Sequence, residues 1–450
     1  MTSLDLTGTG EDESQPKLAT VLLVVAILVS FCVSSMALTE AGVQYDVAEG
    51  AAFQKLHPST YLAALALLAN VFGRPRPLRY AQGLLRKFPG AAYFVVMWGA
   101  LTFYGVGVQQ APATSLIEPY PLALVALFMA DDLPPPAREF LRMALHAIVV
   151  SNALVGIFEY VTHLRLFPYV ISGEPVIGDM RATAILGHPL LNAATTGAYL
   201  LCLFLGGDPR TPPGWRAVFI VISALGLAAF GGRTAIMATA LVVIVRMTWL
   251  GAFFLLGARV ELRRVIVAAV VIPFLVLGVV GAASAGMFDD LIGRFVDDNG
   301  SAQARVILLQ LLGAFDWGDL LVGPRPDLLT SMLANFGIEI GIENTWLALM
   351  FLYGIWMAGF FVIGLFALFW EYLRRSRPGG ALMFMYFIIV VSAMIGLASK
   401  TTIFAQFSVL LLFLFDRNTE GEAASSGKRP WRRSGDPDRG NFGRRPPGQT

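Results

Sequence analysis

The chain has 450 residues, of which 56% are apolar and only 14% charged, with a net charge of +2. A soluble domain is nearer half apolar and a quarter charged, and the mean hydropathy here is +0.66. The composition therefore excludes an ordinary soluble domain and points to an integral membrane protein. Many apolar runs of about 17–25 residues indicate spanning helices, since barrel strands would alternate in polarity over about ten residues. The fold class expected is an all-α polytopic membrane protein. Both cysteines, Cys32 and Cys202, sit inside apolar runs. They form neither a disulfide framework nor a metal-ligand spacing, and packing is their expected role.

Residues 1–17 are polar and acidic (Glu11, Asp12, Glu13) and read as a disordered segment. The first span is Leu18–Leu38. Ser35-Met36-Ala37 loosely fits a signal-peptidase site, but the apolar run is long and only Lys17 precedes it as a cation. An uncleaved first helix is expected. Further spans fall at 59–72, 91–109, 116–130, 138–162, 189–206, 215–231, 233–256, 264–283, 343–373, 380–398 and 402–415. That makes about twelve helices, nine within 18–283 and three within 343–415, with Pro119 and Pro121 breaking the fourth.

Lysine and arginine set the topology. With the N-terminus inside, the cytoplasmic loops hold Arg74, Arg76, Arg79, Arg86, Lys87, Arg138, Arg142, Arg210, Arg216, Arg259, Arg263, Arg264, Arg374, Arg375 and Arg377. The outer side receives Lys55, Arg165, Arg181, Arg233, Arg294, Arg305, Arg325 and Lys400. Residues 416–450 are rich in proline, glycine and arginine and read as a disordered basic cytoplasmic tail touching anionic lipid. Nucleic acid is a poor partner for so short a tethered stretch.

Residues 284–342 are the one long polar interruption and read as a loop on the outer side. Ser301 would cap an amphipathic helix carrying Arg305, and Leu328–Phe336 would form a second helix on the interface. Asp297, Asp298 and Asn299 hint at a calcium loop, but the alternating oxygen ligands and closing glutamate are missing. No His, Cys or carboxylate spacing fits zinc.

The outer arginines run against the charge bias, and an arginine at this level is costly unless it pairs. Arg233 follows Gly231 and Gly232, where two apolar helices meet with almost no loop. It is either a snorkelling anchor or a ligand-binding group, the glycines permitting a tight reversal and close approach of a ligand to backbone. A second constellation runs from Arg181 through His188 to Asn192, with Pro189 starting a helix and His188 at its mouth. His188 could be a cap or a reacting group. His57 and His163 are weaker outer candidates, and His146 reads as helix packing.

The GGR-T turn into a helix, the upstream R-x-T-x-x-x-G-H-P-x-x-N segment, the long outer loop with an arginine-headed helix, and E-N-T-W-L-x-x-x-x-x-Y-G-I from Glu343 together resemble the O-antigen ligase/polymerase superfamily. Its members include Wzy-type exopolysaccharide polymerases and lipopolysaccharide O-antigen ligases. The resemblance covers roughly residues 180–400. It implies a GT-C-like helical bundle in the bacterial inner membrane, and the charge bias places both termini in the cytoplasm. It further implies transfer of oligosaccharide repeat units from an undecaprenyl-diphosphate carrier at the periplasmic face, with membrane lipid, chain-length regulator and export proteins as partners. The family's arginines bind the diphosphate, which maps onto Arg233, Arg181 and Arg305, supported by Gly231, Gly232, Asn192 and Asn344. Arginine suits this role because its fork holds phosphate oxygens in pairs, and no metal or cofactor is then required. Glu343 would be the base that deprotonates an acceptor hydroxyl, with His188 as a second catalytic candidate. A helix-start carboxylate favoured by the dipole is the other account of Glu343. Ligases of the family carry His-Asn where this chain has Glu343-Asn344, so a polymerase is the first reading, a ligase the second and a transporter or flippase the third.

Overall fold

The computed structural model describes residues 16–45, 51–171, 174–175, 181–257, 301–338 and 342–417. Over these residues the protein is helical, apart from one two-residue antiparallel pair, Val170–Ile171 with Glu174–Pro175. In chain order the helices are α1 (Lys17–Cys32), α2 (Ser35–Glu40), α3 (Pro58–Phe72), α4 (Pro77–Lys87), α5 (Pro89–Gly107), α6 (Ala113–Ile117), α7 (Pro121–Met129), α8 (Pro135–Thr162) and α9 (Pro189–Phe204). Then come α10 (Pro213–Phe230), α11 (Arg233–Leu255), α12 (Ser301–Ala314), α13 (Trp317–Val322), α14 (Pro326–Asn335), α15 (Thr345–Arg375), α16 (Gly380–Ser392) and α17 (Ile403–Leu414).

Proline punctuates the chain. Pro58, Pro77, Pro89, Pro121, Pro135, Pro189, Pro213 and Pro326 each open a helix. There the missing N–H costs nothing and the fixed φ is already helical. The first predicted span divides in two, because α1 stops at Cys32 and Ser34 starts α2 by accepting a bond from the Ala37 N–H at 3.1 Å. The predicted break at Pro119 and Pro121 separates α6 from α7.

Six described segments are long and apolar enough to cross a membrane: Pro89–Gly107, Ala113–Asp132, Pro135–Thr162, Pro213–Phe230, Arg233–Leu255 and Thr345–Arg375. Five shorter apolar helices, α1, α3, α9, α16 and α17, accompany them. The predicted span at 264–283, the acidic stretch 284–300 and nearly all of the predicted tail lie outside the described residues.

The two shorter helices α9 and α17 form the centre. Every residue of α17 is buried, as is almost every residue of α9, the mark of a helix enclosed on all sides. Aromatic rings fill the space around α17, with Phe387 stacked on Phe407 at 4.3 Å and Phe404 against Tyr120, Phe369 and Tyr372. Outward-facing residues of the rim helices, such as Phe103, Ile244 and Trp370, are large, apolar and exposed. On a membrane protein these are the lipid-facing surface.

The bundle has two chemically distinct ends. At one, which we term the basic end, Arg375 forks onto Asp131 and Lys87 reaches the same carboxylate at 2.9 Å. Arg74 and the Tyr80 hydroxyl meet Asp132 there, and the Gly90 N–H donates to Glu371 at 2.7 Å. Both described chain ends lie here, Pro16 against Gly73 and Asp416 paired with Ser376. Every loop predicted to be cytoplasmic and described by the structure falls at this end. The other end, the far end, carries the irregular backbone of the candidate site.

Candidate functional site

The far-end site begins with two polar residues that one apolar helix buries. Asn152 and Glu159 lie seven residues apart on α8, hence on one face, and are 2% and 3% exposed. Glu159 accepts three backbone N–H bonds, from Leu166 at 2.7 Å, Thr183 at 2.7 Å and Ala184 at 2.8 Å. One carboxylate thus ties together both arms of the excursion that leaves α8 and returns to α9. Two turns nearer the membrane centre, the Asn152 carbonyl oxygen accepts from Ile185 at 3.0 Å and Leu186 at 3.3 Å. Its amide donates to the Asn192 side-chain oxygen at 2.7 Å, and Asn192 in turn donates to the carbonyls of Thr183 and His188.

Residues 182–187 are therefore non-helical backbone inside the bundle, with Ala182, Thr183, Ala184 and Leu186 all buried. Such backbone survives at membrane depth only when protein groups satisfy it, and Glu159, Asn152 and Asn192 do so. Ala184 is held at φ 42°, a left-handed conformation costing roughly 1 kcal/mol for a residue with a Cβ; its N–H bond to Glu159 offsets that strain.

The two sequence motifs come together here. The Ala182 N–H points at the Ala229 carbonyl at 3.4 Å, and Gly232 lies so close to α9 that a Cβ on it would come within 2.4 Å of the Ala193 Cβ. Gly231 ends α10 in the left-handed conformation at φ 62°. Gly231 thus supplies the expected tight reversal, while the space at Gly232 that the sequence reading left for a ligand is taken by α9 through Ala193. Arg233 is the first residue of α11, half-buried, and follows an N-cap with no side chain to bond the first-turn amides. Arg181 is half-buried at the start of the clamped segment, and its carbonyl accepts from Arg165 at 3.3 Å.

His188 caps α9, its Nδ1 accepting from the Leu190 N–H at 3.2 Å, while Nε2 stands 3.4 Å from the Tyr169 hydroxyl. Asn344 caps α15 by accepting from Trp346 and Leu347, both at 3.0 Å. Helix α15 therefore starts at Thr345, and Glu343 lies just outside it, exposed. The Thr345 hydroxyl bonds Met394 and Leu397, which places the Glu343 segment beside residues 394–400. Arg305 lies on α12, with its side chain outside the described residues.

A second buried acid, Glu118, completes the far end. It is 2% exposed, accepts from the Tyr45 hydroxyl, and takes the His57 N–H at 3.0 Å. The Lys400 ammonium sits 4.0 Å over the Tyr45 ring. His57 caps α3 and bonds the Val33 carbonyl at 2.9 Å, and burial holds its imidazole below the usual histidine range despite that bond. Since Gly187 packs against Ser34, the chain 33–36 connects this cluster to the clamped segment. Helix α13 docks at this end: Gln109 donates to the carbonyls of Val322 and Gly323, and Gly323 crosses Gly354, where α15 is interrupted at φ 77°.

Of the residues singled out from sequence, Arg181, His188, Asn192, Gly231, Gly232 and Arg233 belong to one connected region. Glu343 and Asn344 lie beside the 394–400 loop. Sequence reasoning missed Asn152, Glu159, Glu118 and Gln109. The available signal was an ionisable residue inside a span, at helical spacing from a second polar one. Among the described residues no cluster of His, Cys, Asp and Glu is suited to holding a metal ion. No family model matches the chain, and no curated protein is significantly similar to it.

Proposed function

We propose that this protein is a membrane glycosyltransferase that joins lipid-diphosphate-linked oligosaccharide repeat units, a polysaccharide polymerase of the O-antigen ligase/polymerase type. The observation that carries the proposal is the start of α11. His188 and Asn344 cap their helices with their own side chains, whereas α11 follows a bare glycine and opens with an arginine. Many described helices lack a side-chain cap, and α1, α4 and α14 also start beside a cation. At α11 the uncapped first-turn amides, the positive end of the helix dipole and a guanidinium coincide at the glycine turn packed against the Arg181 segment, a combination suited to an anion. Arg181 begins the segment that packs against this turn. The far end takes the periplasmic side and the basic end the cytoplasm, by the charge bias.

In this mechanism an acceptor hydroxyl loses its proton to Glu343, which is exposed and outside the helix. Its oxygen attacks the sugar carbon attached to the carrier. The bond to the diphosphate breaks, and Arg233, with Arg181, stabilises the charge that develops on the leaving oxygen. Glu159, Asn152 and Asn192 hold the Arg181–His188 segment in register. His188, with Nδ1 engaged as a cap, acts through the segment's geometry. A transporter would leave a broken helix open around a midplane site. Here the break at Gly354 is covered by the Val322–Gly323 backbone, which favours an enzyme with a docked outer loop.

The test is incubation of the purified protein with a lipid-linked repeat unit. A ladder of longer glycans supports the proposal; a single transfer to lipid A makes it a ligase, and lipid movement without new bonds makes it a flippase. Arg233→Ala should abolish the ladder while the protein still inserts. Arg233→Lys should recover little, since an ammonium keeps the charge and loses the planar fork. Near-normal ladders from the lysine variant would reduce Arg233 to an interfacial anchor.

A further inference from the structure

Among the described residues, most cations of the basic end are engaged internally. Arg74 meets Asp132, Lys87 and Arg375 share Asp131, Arg142 bridges Glu139 and Asp208, Arg210 reaches Glu139 and Arg374 reaches Glu371. Arg138, Arg216 and Arg377 each donate to a backbone carbonyl. Helix α4 and its approach are different. Arg76, Arg79 and Arg86 are exposed and have no side-chain partner among the described residues.

Their placement follows from helical spacing. On α4, Leu78, Gln82 and Leu85 share one exposed face, with Arg79 and Arg86 directly beside them at i+1 from each leucine. Leu78 is 79% exposed and Leu85 47%. The opposite face is fixed: Leu84 is buried, and the Tyr80 hydroxyl bonds Asp132 and accepts from Asn70. Lys87, seven residues on, pairs with the adjacent Asp131. Both ends of α4 are thus tied to one point at the foot of the bundle, so it lies across that end between α3 and α5. Helix α3, which precedes α4 and packs against it, also ends in exposed apolar residues, Leu68 and Phe72.

We propose that α4 is an interfacial helix that binds the phosphates of anionic phospholipids with Arg76, Arg79 and Arg86 while Leu78 and Leu85 enter the acyl layer. A row of exposed leucines beside a row of exposed arginines without a side-chain partner among the described residues matches the boundary between acyl chains and headgroups. The proposal is independent of the far-end chemistry and stands if that chemistry fails.

The experiment uses the full chain with Gln82→Cys on that face in a Cys32→Ser background, labelled with an environment-sensitive dye, in neutral-detergent micelles. Phosphatidylglycerol is titrated in, with phosphatidylcholine as the comparison. The expected result is a blue shift that saturates with phosphatidylglycerol, is weak with phosphatidylcholine and is reversed by high salt. Each arginine near an anionic surface contributes about fivefold, so Arg76→Gln, Arg79→Gln and Arg86→Gln together should lower apparent affinity on the order of a hundredfold. Leu78→Ser with Leu85→Ser should remove the blue shift while leaving salt-sensitive binding. Equal responses to the two lipids, or an unchanged titration in the arginine variant, would overturn the proposal. Displacement of the lipid by inorganic pyrophosphate at equal phosphate would also overturn it, making α4 a soluble-phosphate site.

Discussion

The two ends of the bundle each bury a key acid, and they use it for opposite purposes. At the basic end Asp208 accepts from Arg142 at 2.7 Å, from His146 at 2.9 Å and from Thr211. His146 passes the connection to the Tyr199 hydroxyl at 2.7 Å. These are side-chain bonds that neutralise charge between helices whose own backbone is already satisfied. At the far end Glu159 bonds backbone amides alone apart from the Thr183 hydroxyl. It stabilises a piece of chain that is neither helix nor strand. One end is therefore held by charge pairing and the other by supplying acceptors to irregular backbone. The second arrangement lets a chain carry functional groups into the bundle without unfolding it.

The sharpest way to break the contrast is to remove Glu159. Glu159→Ala strands three amide N–H groups in a buried site, each worth about 1–3 kcal/mol, so the total loss should exceed about 3 kcal/mol. Against a typical net stability of about 5–15 kcal/mol this should lower accumulation or melting temperature sharply. Glu159→Gln should cost less, since one oxygen can still serve Thr183 and Ala184 while the amide meets Leu166 donor to donor. A cysteine at Ala182, which is 1% exposed, should become reactive in the Glu159→Gln background. If it stays unreactive and the melting temperature holds, Glu159 is not the clamp.

Smaller effects should separate the ends by pH. His57, at the far end, has a pKa lowered by burial. The unfolded chain then binds a proton that the native one does not as pH falls below about 6.5, and stability drops in that window. Asp208 is pushed up by burial, but the bonds from His146 and Thr211 and the charge of Arg142 outweigh this and hold it well below the carboxylate range. Its contribution is fully present above about pH 4 and is lost as pH falls below that. Melting temperature followed downward from pH 7 should thus show a first decline removed by His57→Gln and a second, below about pH 4, removed by Asp208→Asn. A single decline unaffected by His57→Gln would mean that the far end is not the acid-sensitive one.

How much of this was legible in the sequence depends on the range of the interaction. The start of α9 was legible from Pro189, whereas α4, which opens at Pro77, was read only as part of a basic loop; the Gly231-Gly232-Arg233 turn announced both its tightness and its charge. Glu159 was hidden because one carboxylate in a 28-residue helix barely alters its apolar character, and its partners lie up to 25 residues away on irregular chain. His146, read as packing, also hydrogen-bonds Asp208, the partner of Arg142, because Asp208 folds back 62 residues later. The Lys400–Tyr45 contact joins positions 355 apart, and no local pattern encodes that. The interruption at Gly354 looked like any other glycine in a span until Gly323 was seen to cross it.

The smallest expected effect tests two adjacent residues against each other. Asn344 caps α15 through Trp346 and Leu347, so Asn344→Ala should cost about 1 kcal/mol and lower the melting temperature by about 2 °C or less. Asn344→Asp, which keeps an accepting oxygen at a favourable helix start, should restore it. Glu343 is exposed and outside the helix, so Glu343→Gln should leave melting unchanged. If Glu343 is the base that takes the acceptor proton, the same variant should all but abolish glycan extension. A Glu343→Gln variant with normal ladders would transfer the base role elsewhere while leaving the diphosphate assignment of Arg233 intact, because leaving-group stabilisation and acceptor deprotonation are carried by different groups. Normal melting with lost extension at Glu343, set against lost melting with retained extension at Asn344, would divide function from structure within two consecutive residues.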